Sequence, residues 1–173
     1  MNADLFTIIE IRKNNLAAIN NVKTTVSEAE IIETQFSKRN PLTRAFLLLL
    51  SKKTPRDLVK GTTIDVTDAL SGYNAKQYHH IFPNAFLKRQ GFPKDKTFST
   101  ANFTFLPSDS NKAISSRKPS DYFNNIVPQN EFVDILNSNI IPVRRDLYDN
   151  DNYNDFLEKR AELILAEVDK LTN

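Results

Sequence analysis

Residues 78–83, YHHIFP, place the two histidines of this chain, His79 and His80, side by side before an Ile-Phe-Pro run. Asn102 follows in the segment ANFTFL, and Asn111 follows in the segment SDSNKAIS. Aromatic and β-branched residues around His80 and after Asn102 favour two short strands, and a polar turn then leads into a helix that carries Asn111. The sequence therefore predicts a strand, a second strand and a helix, each of which carries or adjoins a His or an Asn.

These residues also have a purely structural interpretation. Successive side chains of a strand point to opposite faces, so one of two adjacent histidines would belong to the core and the other to the surface. Asn102 taken alone is more typical of a turn or a strand end. The combination of His79, His80, Asn102 and Asn111 in this order favours a functional site.

The segment HHIFP…ANFTFLPSDSNKAISSRKPSDYF resembles the HNH nuclease motif. In that family a ββα element carries a His general base, a metal ligand just before it, a structural Asn and a final Asn or His ligand on the helix. The resemblance is closest to the HNH domain that ends GmrSD-type, modification-dependent restriction proteins, and the HNH domain of the RNA-guided CRISPR nuclease has the same order of motifs. Residues 40–123 are covered, because the preceding helical segment, NPLTRAFLLLLSKK onwards, looks like the lead-in of the GmrSD-type family.

The resemblance implies a role for each of these side chains. His80 takes the place of the general base, and His79 and Asn111 take the places of the two metal ligands. Asn102 matches the Asn that braces the loop bearing the catalytic His, so it positions the base and does not react. Three basic residues are implied to contact DNA phosphates, with a solvated surface as the alternative: Lys112, Arg117 and Lys118.

Phosphodiester hydrolysis requires a nucleophilic water, stabilisation of charge at the scissile phosphate and help for the leaving oxygen. One imidazole and one dication supply all three, and the resemblance implies Mg²⁺ as the cofactor. His79 stands where the family often has a carboxylate, which lowers the negative charge of the site. Mg²⁺ binding is therefore expected to be weaker, with Mn²⁺ or Ni²⁺ as competitors.

Composition favours one compact domain. The chain has 173 residues, of which 40% are hydrophobic, which is enough for one sizeable core. A net charge of +2 is too small to indicate a nucleic-acid-binding protein by itself. Between Lys88 and Lys118, however, seven Lys and Arg residues stand against two Asp residues, so the part of the chain around the motif is basic.

Cysteine is absent, which excludes disulfides and the thiolate zinc sites that many HNH proteins carry. The longest apolar run, residues 45–50, is far shorter than the roughly 20 residues of a membrane span, and the first residues lack a signal-peptide pattern. These observations predict a soluble, cytoplasmic protein without a membrane partner.

The predicted fold class is mainly α with a small ββα-metal core. Residues 1–72 are expected to form a helical lead-in, residues 73–125 the nuclease core, and residues 126–173 a C-terminal helical segment packed on that core. The two strands are predicted at residues 77–82 and 103–106, and the last helix at residues 152–171.

Local signals mark where several helices begin and end. Residues 27–30, SEAE, are typical of a capping box, and Asn-Pro at residues 40–41 predicts an N-cap followed by the first turn of a helix. Thr-Pro at residues 54–55 repeats that signal and predicts another helix, which would stop at Gly61.

Two further helix boundaries are predicted from capping residues and glycine. Asp109 or Ser110 is expected to cap the helix that begins near Asn111. A short turn of helix from Thr67 is expected to close at Gly72.

Two classes of function remain open. The first is a metal-dependent DNA endonuclease or nickase in anti-phage defence, and the second is a catalytically inactive HNH-fold module for DNA binding or assembly. In the GmrSD-type family a nucleotide-hydrolysing domain precedes this part. The resemblance therefore implies such an N-terminal domain of the same full-length protein as a partner, together with DNA.

Overall fold

The computed structural model describes residues 3–15, 25–67 and 78–172. Within these ranges the protein is mainly helical with a single two-stranded antiparallel sheet, which confirms the mainly α prediction. None of the described helices is both long and apolar enough to cross a membrane. The helices are α1 Ala3–Arg12, α2 Glu28–Glu33, α3 Pro41–Lys52, α4 Asn84–Arg89, α5 Lys94–Thr97, α6 Ser108–Ile114, α7 Pro119–Asn125, α8 Phe132–Ser138, α9 Arg145–Asp149 and α10 Tyr153–Thr172; the strands are β1 Tyr78–His80 and β2 Phe103–Phe105; two 3-10 turns cover Thr100–Asn102 and Gln129–Glu131.

Strands β1 and β2 form an antiparallel pair, and α6 follows β2 after a short connection, so the chain has a β-β-α unit in this order. Directly opposed residues of an antiparallel pair share one face of the sheet. One face is therefore aromatic and includes His80, and the other carries His79. The register pairs Tyr78 with Phe105, His79 with Thr104 and His80 with Phe103.

The core lies between this unit and the long helix α10. Phe82, which follows β1, packs on Tyr153 and Phe156 of α10 with ring centroids 5.2 and 4.7 Å apart. One hydrophobic cluster includes buried residues from all three predicted segments, for example Leu50, Phe82 and Leu136. Burying a large apolar side chain of this kind contributes roughly 1.5–3 kcal/mol, so the lead-in and C-terminal helices contribute substantially to stability.

Arg160 of α10 is fully buried within this core. Its guanidinium donates hydrogen bonds to three backbone carbonyls, at 2.6 Å to Ala101, 3.0 Å to Ile140 and 3.1 Å to Asn139. Burial lowers its pKa to about 9, so the side chain keeps its charge at pH 7. Arg160 therefore connects the C-terminal helix to the segment that immediately precedes β2.

Two of the predicted helix caps are confirmed. The Ser27 hydroxyl accepts from the N–H of Glu30 and the Glu30 carboxylate accepts from the N–H of Ser27, which forms the capping box of α2. The Asn40 side chain accepts from the N–H groups of Leu42 and Thr43 at the start of α3, whose first residue is a proline. These side chains bind N–H groups that no intrahelical partner satisfies.

The helix predicted after Thr54 is wrong. The segment instead forms a turn in which Arg56 and Thr63 make an isolated antiparallel bridge. The Asp57 carboxylate accepts from the N–H groups of Val59 and Lys60 at 2.7 and 3.2 Å, so its side chain competes with helical hydrogen bonding.

The predicted boundaries of the β-β-α unit also need correction. Helix α6 begins at Ser108 rather than near Asn111, and neither Asp109 nor Ser110 caps it. Strand β1 ends at His80 and does not reach Phe82, because the N–H of Phe82 is bound by a side chain instead of a neighbouring strand. The helical turn predicted from Thr67 to Gly72 extends outside the described residues.

Candidate active site

His80 lies on the aromatic face of the hairpin and is partly buried. Its ring contacts Phe103 and Phe98, with centroids 4.2 and 4.9 Å away, the second at nearly a right angle. The Nε2 atom is buried and has no hydrogen-bond partner within residues 3–15, 25–67 and 78–172. The Nδ1 atom likewise makes no hydrogen bond to any described residue.

The surroundings of His80 keep its imidazole neutral. Burial is the main cause, and the nearby His79 and Lys88 add to it, which together lower the pKa of His80 to about 4. A neutral imidazole with an accessible nitrogen can accept a proton from water. Lys88, on α4, is close enough to act on His80, and the sequence interpretation gave it no role.

His79 lies on the opposite face, beside its cross-strand partner Thr104. Thr104 is buried, and its hydroxyl donates to the Asn139 side chain at 2.8 Å. The Asn139 amide in turn donates to the backbone carbonyl of Arg56 at 2.7 Å. A buried polar network therefore connects the face that carries His79 to the turn that follows α3.

Asn102 holds the backbone directly after His80. Its side chain accepts from the N–H of Phe82 at 2.8 Å and donates to the carbonyls of Phe82 and Thr97, both at 3.1 Å. Its own carbonyl accepts from the N–H of Ile81 at 2.8 Å. Asn102 is fully buried, so these hydrogen bonds are shielded from water and fix the exit of β1.

Tyr122 of α7 holds the same loop from another side. Its hydroxyl donates to the carbonyl of Ile81 at 2.7 Å, and the residue is fully buried. Sequence reasoning gave Tyr122 no role, because its partner lies 41 positions earlier in the chain. The two residues after His80 are thus bound by side chains from two different elements.

Asn111 lies on α6 and is half-buried. Its side-chain amide makes no hydrogen bond to any described residue, so its oxygen is available to a ligand. The preceding residue, Ser110, is buried and donates to the Asp57 carboxylate at 2.6 Å. Asp57, like Lys88 and Tyr122, is a residue to which the sequence interpretation gave no role.

The basic residues predicted to contact DNA lie on exposed surface around α6 and α7. Lys112 is 3.7 Å from Asp109, and Arg117 forms an ion pair with Asp121 at 2.9 Å. Exposed pairs of this kind contribute little stability, so a phosphate can replace either carboxylate at small cost. Lys118 is exposed at the start of α7.

A divalent ion at this site would have few protein ligands. Within the part of the chain that the structure describes, no group of three or more His, Cys, Asp or Glu residues is arranged to hold a metal. The predicted set consists of one imidazole, from His79, and one amide, from Asn111. Such neutral donors suit a transition metal or a Mg²⁺ ion whose remaining ligands are water and substrate phosphate.

We expect metal-free protein to lose stability as the pH falls from 6.5 towards 4. Because burial lowers the pKa of His80 to about 4, the unfolded chain takes up this proton at higher pH than the folded protein does. The unfolding free energy is therefore unaffected by the titration of His80 above pH 6.5 and falls by roughly 3 kcal/mol between pH 6.5 and pH 4. Urea unfolding in EDTA at several pH values measures it.

His80→Phe is the matched control for this prediction, because it keeps a ring at the same position and removes the titration. The difference in unfolding free energy between the two proteins should depend on pH within this window. Parallel pH curves for both would contradict the prediction and show that His80 titrates normally in the folded protein.

Comparison with known proteins relates this chain to an archaeal protein. The chain is 26% identical over 144 residues to Uncharacterized protein MJ0686 of Methanocaldococcus jannaschii, an alignment that covers 69% of this chain and 24% of that protein. The matched region is thus about a quarter of the relative's length. No family model matches the sequence, and no solved structure matches it.

Proposed function

We propose that this protein is a metal-dependent DNA endonuclease or nickase in which His80 is the general base. The observation that carries the proposal is the setting of His80: a half-buried imidazole with a lowered pKa and a ring nitrogen that no described residue binds, on a strand whose exit is fixed by Asn102. The β-β-α order of the surrounding elements and the resemblance to the HNH motif support the same chemistry.

In the proposed reaction, Nδ1 of His80 takes a proton from a water molecule, which then attacks the scissile phosphate. His79 and Asn111 would hold a divalent ion, Mg²⁺ or else Mn²⁺ or Ni²⁺, which when bound stabilises charge on the phosphate and the leaving oxygen. Asn102 and Tyr122 keep the loop after His80 in place, so the imidazole needs little rearrangement during the reaction.

DNA is the proposed substrate because the surface near the site carries cations. Lys88 lies close to His80, and Lys112, Arg117 and Lys118 lie on or next to the β-β-α unit. Contacts from Lys and Arg to phosphates position a duplex and carry no sequence information. We propose that recognition of modified DNA belongs to a nucleotide-hydrolysing domain of a longer, cytoplasmic defence protein, in which this chain is the effector.

The second candidate function is a catalytically inactive module that binds DNA or assists assembly. The observation in its favour is the close packing of His80 between Phe98 and Phe103, which limits access to the ring. Measuring turnover separates the two functions, since both would bind DNA.

Plasmid cleavage with Mg²⁺, Mn²⁺ or EDTA tests the proposal. Wild-type protein should nick or cut with either ion and not in EDTA. Asn111→Ala should lose cleavage at low metal concentration and recover part of it in excess Mn²⁺, because one of two protein ligands is missing and the phosphate completes the shell.

Asn125→Ala serves as the control for Asn111→Ala, since it removes an exposed amide from α7 and should leave cleavage unchanged. Cleavage by wild-type protein that persists in EDTA would refute the metal requirement. DNA binding without cleavage in any ion would favour the inactive module.

A further inference from the structure

Asp57 is a buried carboxylate, with 1% of its surface exposed. It forms no ion pair with any cationic side chain of the described residues, although buried charges usually have such a partner or a metal. Its oxygens accept three hydrogen bonds, from the backbone of Val59 and Lys60 and from the hydroxyl of Ser110. The two backbone bonds fix the carboxylate within its own turn, so the bond to Ser110 is the one that reaches another element.

Ser110 is the polar attachment point of α6, and Ile114, one turn later, is buried in the hydrophobic core. At 2.6 Å its hydroxyl makes a short bond to a charged acceptor, which is stronger than a bond between neutral groups. No side chain of α6 other than Ser110 is hydrogen bonded to a different part of the described chain, and α6 has no side-chain N-cap. A helix of seven residues has little stability of its own, so this contact restrains how the helix is rotated.

The rotation of α6 decides where Asn111 points. With 3.6 residues per turn, adjacent side chains are separated by about 100° around the helix axis, so fixing Ser110 also fixes Asn111. A rotation of roughly 20° would move an oxygen about 5 Å from the axis by nearly 2 Å. Metal–ligand distances tolerate deviations of only about 0.2 Å, so such a rotation would remove Asn111 from the coordination shell.

The same turn is also linked by hydrogen bonds to strand β2. The carbonyl of Arg56, the residue before Asp57, accepts from Asn139, and Asn139 accepts from Thr104, which pairs with His79. Of two adjacent residues in one turn, Asp57 therefore contacts the helix that carries Asn111, and Arg56 is linked through Asn139 to Thr104, the cross-strand neighbour of His79. The relative placement of the two proposed ligands depends on this turn.

We infer that Asp57 is a positioning residue that acts through Ser110 to hold Asn111 in the direction required for binding a divalent ion. The inference rests on the proposed nuclease function. Asp57 touches neither the ion nor the DNA, so its loss should weaken metal binding and leave the base, His80, intact.

The test measures Mn²⁺ affinity directly, by the loss of the free-ion signal in electron paramagnetic resonance. Protein carrying His80→Ala is mixed with duplex DNA, so that the metal and the DNA both bind and the DNA is not cleaved. Adding Ser110→Ala to this background should weaken Mn²⁺ binding 10- to 100-fold, the range typical of residues that orient a metal ligand. In otherwise wild-type protein, Ser110→Ala should raise the Mn²⁺ concentration for half-maximal cleavage by a similar factor.

Two further variants separate positioning from general destabilisation. Asp57→Asn keeps the acceptor for the backbone N–H groups and can donate from its amide to the Ser110 hydroxyl, so it should retain most of the Mn²⁺ affinity. Thr43→Val removes a different buried hydroxyl bond, to Thr100 at 3.1 Å, and should leave Mn²⁺ affinity unchanged. Circular dichroism at a temperature below every midpoint establishes that each variant is folded.

Each result has a distinct meaning. Wild-type cleavage with unchanged Mn²⁺ affinity in Ser110→Ala would overturn the positioning role and leave the proposed function standing. Equal loss in Ser110→Ala and Thr43→Val would also overturn it, because the effect would then follow from stability. If wild-type protein neither cleaves DNA nor binds Mn²⁺ in its presence, the proposed function fails and the positioning role fails with it.

Discussion

His80→Ala is expected to lower the rate of plasmid cleavage by 10²–10⁴-fold, the usual contribution of a general base. The substitution removes the imidazole proposed to accept a proton from the attacking water, and alanine has no group that can replace it. The hydrogen bonds from Asn102 to the backbone of Phe82 involve no atom of His80, so the loop after β1 should keep its conformation. Single-turnover cleavage of supercoiled plasmid under saturating metal measures the chemical step.

Loss of the His80 ring also removes packing against Phe98 and Phe103, so a matched control is needed. Tyr78 lies on the same face of β1, and Tyr78→Ala removes a ring without removing the base. This control should keep most of the cleavage activity, and both variants should bind DNA with wild-type affinity. Full cleavage by a folded His80→Ala protein would exclude His80 as the base.

The largest effect on stability is expected from Arg160→Ala, at about 4 kcal/mol. The change leaves the carbonyls of Ala101, Asn139 and Ile140 without the donors that now satisfy them, and each unsatisfied buried group costs about 1–3 kcal/mol. It also opens a cavity beside Phe46, whose ring lies 5.5 Å from the guanidinium carbon. Urea unfolding followed by circular dichroism measures the loss.

Two other variants divide this effect into its parts. Arg160→Met fills most of the volume but donates no hydrogen bond, so it should remain about 3 kcal/mol less stable than wild type. Lys159→Met changes the preceding, surface-facing residue and should alter stability by less than about 0.5 kcal/mol. A loss below 1 kcal/mol in Arg160→Ala would mean that water satisfies the three carbonyls after the substitution.

The fold could be predicted from the sequence where the determining contacts are local. Ser27 and Asn40 bind N–H groups two or three residues away, so a short window contains both partners. The signal at Thr54 failed because the next residues depend on Asp57, whose carboxylate also binds Ser110, 53 positions later. Ser110 makes this contact from within the first turn of α6, which begins at Ser108, so Ser110 does not cap the helix.

In the candidate site, too, the residues of a local motif could be predicted and the residues with distant partners could not. The order of His79, His80, Asn102 and Asn111 was readable because these residues form a compact motif, and their catalytic roles stay predictions. Asp57 and Tyr122 were missed because nothing near them in the chain indicates their partners. A buried acid or phenol becomes recognisable only when the structure brings its donor or acceptor beside it.

The residues that hold the loop after His80 and the segment before β2 lie far apart in the chain, so they leave the ribosome at different times. Translation delivers the histidines first, then Asn102 and Tyr122, and Arg160 after all of them. The carbonyl of Ala101, next to Asn102, has no guanidinium partner until helix α10 has left the exit tunnel. A nascent chain that has not yet reached Arg160 therefore contains every residue of the proposed catalytic motif without this part of its scaffold, so the order of translation would delay the proposed activity.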